Sequence, residues 1–148
     1  ENETRRAFIT QTWKLTLDGF PDCGVIRIPR PNLIRVTGIT YVDDDGVTQT
    51  LAANQYTVIT DTLPGEIHEA YDVDWPTTRA VPNAVAVTFT CGYGATAASV
   101  PGPIKSAMLL AIGHWYTNRE SVVTGTIATE LPMAVDSLLG PYRYIEAI

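Results

Sequence analysis

Residues 84–118 read AVAVTFTCGYGATAASVPGPIKSAMLLAIGHWYTN, and the spacing of their apolar positions changes once along the way. Residues 84–91 form a short, β-branched apolar run closed by Gly92 and Gly94, the pattern of a buried strand. After a loop over 95–100, Pro101-Gly102-Pro103 suits a helix entry, because a proline in the first turn gives up an N–H that has no partner there. From residue 104 to 118 the apolar residues follow helical spacing: Ile104, Ala107, Met108, Ala111, Ile112 and Trp115 share one face, widened by Leu109, Leu110 and Tyr116. The opposite strip, Ser106, Gly113 and Thr117, is small and uncharged. A helix without a charged solvent face is expected to pack on both sides, which calls for a partner beyond its own β unit; full burial inside its own domain is the alternative.

Upstream, the period is that of strands. Residues 9–18 (ITQTWKLTLD) place Ile9, Gln11, Trp13, Leu15 and Leu17 on one side and Lys14 and the threonines on the other. Short strands are predicted over 25–28 and 33–42, with Pro29 and Pro31 between them. Strands over 47–51 and 56–60 follow, so that 33–60 reads as a three-stranded meander, and further strands are predicted over 66–71 and 84–91. Residues 9–94 are thus expected to form an all-β unit, a small sandwich or barrel. Downstream, 122–129 reads as a flexible stretch, 133–139 as a short helix stopped by Gly140-Pro141, and 142–148 (YRYIEAI) as an extended tail. Residues 1–8 (ENETRRAF) read as the last turns of a helix whose upstream piece is missing. The expected class is α+β: a small β unit inserted in or attached to a helical subdomain, residues 95–141, with one long helix and one short C-terminal helix.

The 148 residues, 45% hydrophobic, suffice for one domain or one domain with an insert. A formal net charge of -6 argues against a protein that grips nucleic acid, since phosphate binding is driven by Lys and Arg displacing counterions. No apolar run approaches the roughly 20 residues of a membrane helix, and the N-terminus shows no charged leader before an apolar stretch. No membrane partner is expected. Cys23 and Cys91 lack CxxC spacing and read as reduced structural thiols.

Candidate chemistry is sparse. Asp43-Asp44-Asp45-Gly46 suggests a calcium loop, but Asn54 stands where an EF-hand needs its bidentate Glu and the flanks are strands, so a hairpin turn is the stronger reading. Glu66, His68, Glu69, Asp72 and Asp74 are the densest group of possible ligands or acid–base residues; without a second histidine or HExxH they read as a solvated strand edge. His114 has no nucleophile context and reads as a packing residue. Gly92-Tyr93-Gly94 is too short for a phosphate loop. Arg119 can cap the long helix, where exposed carbonyls face the negative end of the dipole, and Glu120 can pair across a subunit boundary. No catalytic residue, metal site or cofactor is expected.

Residues 100–144 carry a combination that resembles the head–tail connector (adaptor) family of tailed phages, in its version with an inserted β subdomain. The matching islands are Val100-Pro101 and Ile104-Lys105, His114-Trp115-Tyr116 with Asn118-Arg119-Glu120, Leu131-Pro132, and Leu138-Leu139 with Pro141-Tyr142-Arg143. Gln11-Thr12-Trp13, Leu17-Asp18, Phe20-Pro21 and Trp75-Pro76 also fit. The resemblance implies a non-enzymatic virion protein at the head–tail interface, present in the host cytoplasm during assembly. It implies a homo-oligomeric ring, commonly of twelve copies, docked beneath the portal protein and touching a head-closure or tail-completion protein, with DNA passing through the channel without specific binding. It places Leu109, Leu110, Trp115, Tyr116, Arg119 and Glu120 at subunit interfaces, and Tyr142, Arg143, Tyr144 and Ile145 in a tail that docks on the portal. A head-closure or tail-completion protein is the nearest alternative. From another class, a surface- or glycan-binding β module would use exposed aromatics such as Tyr71 and Trp75.

Overall fold

A computed structural model describes residues 1–117 and 133–144. Seven strands run in chain order: β1 (Gln11–Leu17), β2 (Val25–Arg27), β3 (Leu33–Val42), β4 (Thr48–Thr50), β5 (Tyr56–Ile59), β6 (Glu66–Glu69) and β7 (Val85–Cys91). Two helices follow, α1 (Gly102–Thr117) and α2 (Met133–Leu139). The molecule is mixed α+β with two antiparallel sheets, ordered β1-β7-β3-β4 and β2-β6-β5.

The near-continuous apolar run of β7 has a simple cause. It lies between β1 and β3, pairing Trp13 with Phe89 on one side and Val36 with Phe89 on the other. Val85, Val87, Phe89 and Cys91 are all buried. They share one core with Ile39 of β3 and with Ile26 and Ile67 of the second sheet, so the two sheets enclose a single apolar interior. Burial pushes the Cys91 thiol up from its ordinary value; Cys23 is exposed, and neither cysteine is bridged. Gly92, at φ 130°, ends the strand where a side chain has no room: a Cβ there would lie 2.6 Å from the Ile9 carbonyl oxygen.

The predicted three-stranded meander is corrected. β3 and β4 pair as a hairpin, but β5 pairs with β6 in the other sheet. The chain changes sheet after Leu51, whose amide donates to the Ile39 carbonyl at 2.9 Å while its side chain is buried in the shared core. A single 3-10 turn, Ala53–Gln55, redirects it, with the Ala52 amide donating to Gln55 Oε1 at 3.3 Å. Strand periodicity identifies each strand but not its partner, so this crossover has no sequence signature.

A second, smaller core joins the chain ends to the helices. Phe8, Val100 and Ile104 are buried together, with Tyr93, Leu139 and Tyr142 packed on them. Residues 1–8 are turns rather than the end of a helix: Arg5 sits at φ 52°, and its amide donates to the Asn2 carbonyl at 3.3 Å. A left-handed residue there is incompatible with helical continuation. The tail is likewise not free at its root, because Tyr142 belongs to a 3-10 turn, Gly140–Tyr142, and the Tyr144 amide donates to the Thr4 carbonyl at 3.0 Å.

Candidate functional site

Only part of α1 is covered. Ile104 and Ala107 are buried and Ala111 is half-buried, but further along the same face Met108, Ile112 and Trp115 are exposed. On the flanks Leu109 is 69% exposed, Leu110 45% and Tyr116 67%. Ser106, Gly113 and Thr117 on the remaining strip are exposed as well. An isolated exposed leucine is ordinary, but six large apolar side chains exposed on sixteen helical residues are more than a solvated helix carries and mark an interaction surface. A groove of about 590 Å³ runs between this helix, α2 and the N-terminal segment; Phe8, Met108, Trp115, Val135 and Leu139 line it.

The sequence places Leu109, Leu110, Trp115 and Tyr116 at a subunit interface, and the structure brings all four to the surface of one helix. Arg119, Glu120, Ile145 and the stretch 122–129 lie outside the described residues. At the tail, Arg143 reaches two carboxylates: it pairs with Asp136 on α2 at 2.8 Å and with Glu3. Burial works against its charge, but the Glu3 and Asp136 carboxylates outweigh that and hold the guanidinium above its ordinary value.

Sequence reading missed the residue that ties these parts together. Arg6 is buried; its Nε donates to the Tyr142 carbonyl at 2.6 Å and its guanidinium NH1 donates to Asn32 Oδ1 at 3.0 Å. One side chain thus joins the N-terminal segment, the tail root and the turn before β3. The only hint was an arginine beside apolar Ala7 and Phe8, both buried. Glu1 supports the same segment, with its Oε1 accepting from the Phe8 amide at 2.7 Å and from Gln11 Nε2 at 2.9 Å. Burial opposes its ionisation, yet these donors lower its pKa.

The candidate chemical groups resolve into structural ones. Asp43 organises the β3–β4 hairpin: its Oδ1 accepts from the Val47 amide and its Oδ2 from Gln49 Nε2, both at 2.8 Å. Those two bonds, Gln49 first, hold its carboxyl below the ordinary aspartate value. Gly46, at φ 84°, supplies the left-handed turn. The expectation of a solvated strand edge at Glu66 and His68 is corrected, because β6 is the central strand of its sheet. Glu66 Oε2 lies 2.9 Å from His68 Nε2, and the bond to His68 lowers the Glu66 pKa. Glu69 accepts from the Trp75 amide at 2.9 Å. Among the described residues no group of three or more His, Cys, Asp or Glu side chains is arranged to hold a metal ion, and no helix is long and apolar enough to cross a membrane.

Of the two aromatics expected on the surface, Tyr71 is 99% exposed but Trp75 is not. Trp75 stacks on Phe20 with ring centroids 4.9 Å apart and an 8° interplanar angle, and packs against the main core. The Trp75 amide donates to Glu69 at 2.9 Å, and nearby the Asn83 amide donates to Asp18 Oδ1 at 2.8 Å. No aromatic platform is formed by that pair.

No family model matches the chain, and no curated protein sequence matches it. Chains of three solved structures do match in fold. One is from the virion of a native gene transfer agent particle, 22% identical with a TM-score of 0.76, the alignment covering 99% of this chain and 72% of that one. Another is from the neck of the native particle computed with C12 symmetry, 23% identical with a TM-score of 0.77, covering 99% and 76%. The third is from the neck of the empty particle computed with C6 symmetry, 22% identical with a TM-score of 0.76, covering 99% and 72%. At this identity the likeness is one of fold: the described residues fold as virion and neck chains of a phage-like particle do.

Proposed function

We propose that this protein is a structural subunit of the neck of a phage-like particle: a head–tail adaptor that assembles as a ring between portal and tail and continues the DNA channel. The observation that carries the reading is the whole-chain likeness to neck chains of particles computed with twelvefold and sixfold symmetry, since a fold repeated around a rotation axis needs a surface to close on itself. The exposed face of α1 supplies such a surface, with Leu109, Leu110, Trp115 and Tyr116 packing against the neighbouring copy and Arg119 and Glu120 pairing across the same boundary. In this arrangement the β unit is an insert between chain ends that meet on the second core. The ring is non-catalytic and sits in the virion at the head–tail interface, after assembly in the host cytoplasm; its twelve copies match a portal above and a head-closure or tail-completion protein below. DNA passes without specific binding, consistent with the net charge of -6.

Tyr142, Arg143 and Tyr144 are the anchored root of a tail that, with Ile145, docks on the portal, where an extended segment can add by main-chain pairing. Tyr142 and Arg143 fix its direction through their bonds to Arg6, Glu3 and Asp136. The test is negative-stain electron microscopy of the full chain mixed with its cognate portal rings, beside a version ending at Tyr144 so that the anchored root stays intact. A second ring of density on the portal, lost from the shortened version, is the expected outcome. Folded full-length protein that adds no density to the portal overturns the adaptor reading.

A further inference from the structure

A second cleft, of about 500 Å³, opens along β1, apart from α1 and touching the tail root only at Tyr144. Three cations line it, Arg5, Lys14 and Arg30, together with Asn2, Trp13 and Tyr144, and among the described residues no carboxylate does. Among the described residues none of the three cations makes an ion pair. The Arg30 guanidinium carbon lies over the Trp13 ring, 4.0 Å from its centroid, a cation–π contact. Glu1 senses the charge of Arg30, but its Oε1 is occupied by the Phe8 amide and Gln11. In a chain of net charge -6, three of ten basic residues gathered in one cleft, none of them ion-paired among the described residues, suit an anionic occupant.

The same sheet carries the complementary charge on its other side. The order β1-β7-β3-β4 puts the cationic cleft at one edge strand and the β3–β4 hairpin, Asp43-Asp44-Asp45-Gly46, at the opposite edge. Asp43 is spent on the turn, Asp44 accepts from Thr77 Oγ1 at 2.9 Å and the Arg79 guanidinium lies beside Gly46, whereas Asp45 is exposed at the tip, so the hairpin with its arginine still carries a net negative charge. Opposite charges on opposite edges of one rigid sheet satisfy a head-to-tail contact, in which each copy offers its hairpin to the next and its cleft to the one before.

We propose that the Arg5–Lys14–Arg30 cleft receives the acidic β3–β4 hairpin of a second copy of this chain, an electrostatic contact that sets which edge meets which when copies associate. It rests on the ring reading above and adds a contact remote from α1. Nucleic acid is the lesser candidate for the cleft, because three cations on a chain of this net charge cannot release enough counterions for tight phosphate binding.

The experiment is a charge swap in the full chain, read by sedimentation velocity at low salt and by electron microscopy for rings. Lys14 and Asp45 are both exposed, so Lys14→Glu and Asp45→Lys leave the fold intact, which circular dichroism checks. Each single variant is expected to lower the association constant about tenfold or more. An equimolar mixture of the two, which restores an opposite-charge pair at every contact, is expected to recover association. If wild-type rings form and both single variants form them equally well, the cleft proposal fails and the ring reading stands. If the wild-type chain stays monomeric both with and without portal, the two fail together. Duplex DNA binding that Lys14→Glu abolishes, measured by fluorescence anisotropy, overturns the proposal in favour of a phosphate site.

Discussion

Arg6 illustrates how much a single side chain can hold when it is buried among neutral acceptors. Its bonds to the Tyr142 carbonyl and to Asn32 Oδ1 span the two chain ends and the β2–β3 turn. Arg6→Met keeps most of the stem packing but leaves a part-buried carbonyl and amide oxygen without their donors. The expected cost is about 1–3 kcal/mol, read as a lower urea midpoint with unchanged slope. Asp43 acts through ionisation instead. Its folded-state pKa lies below the unfolded one, so it contributes stability in full above about pH 4 and loses that contribution as the pH falls through the lower folded value. Asp43→Ala is therefore expected to lower the melting temperature at pH 7, with the difference from wild type shrinking as the pH falls below the ordinary aspartate value in a thermal series. A difference that persists undiminished at the most acid pH would assign the effect to hairpin packing rather than to the carboxylate.

At the scale of elements, α1 is divided between two jobs along its length. Its first turns close the second core through Ile104 and Ala107, while its later turns carry exposed leucine, isoleucine and aromatic side chains. The two ends should therefore respond differently to substitution. Ile104→Ala removes buried methylenes and is expected to cost about 2–4 kcal/mol of monomer stability. Leu110→Asp changes a half-exposed site and is expected to leave monomer stability within about 1 kcal/mol while abolishing ring assembly, measured by chemical denaturation and by electron microscopy. If the Leu110→Asp chain folds and still assembles into rings, α1 is not the subunit interface.

On the scale of the whole molecule, the β core and the helical core meet where the chain enters and leaves. Phe8, Tyr93, Val100 and Tyr142, distant in sequence, converge on α1 and α2, and the Tyr144 amide bonds back to Thr4. The root of the tail, up to Tyr144, is therefore anchored to the N-terminal segment. The opposed charges at the two edges of the larger sheet add a polarity to the same body.

Much of this was legible in the amino-acid order alone. The alternation of Trp13, Leu15 and Leu17, the β-branched run 33–42 and the helical spacing from Ile104 onward are local periods, and local periods are what a linear text records. The apolar surface of α1 could be inferred for the same reason, since a helix whose only Lys, Arg, Asp or Glu is Lys105 is itself a pattern. What only the tertiary structure decided are relations between segments far apart in the chain. These are the passage of β5 into the second sheet, the central position of β6, the burial of Trp75 on Phe20, and the meeting of Arg5, Lys14 and Arg30 in one cleft. Each depends on which surfaces bury each other, a choice made by the summed packing of the whole chain and written in no single stretch of it.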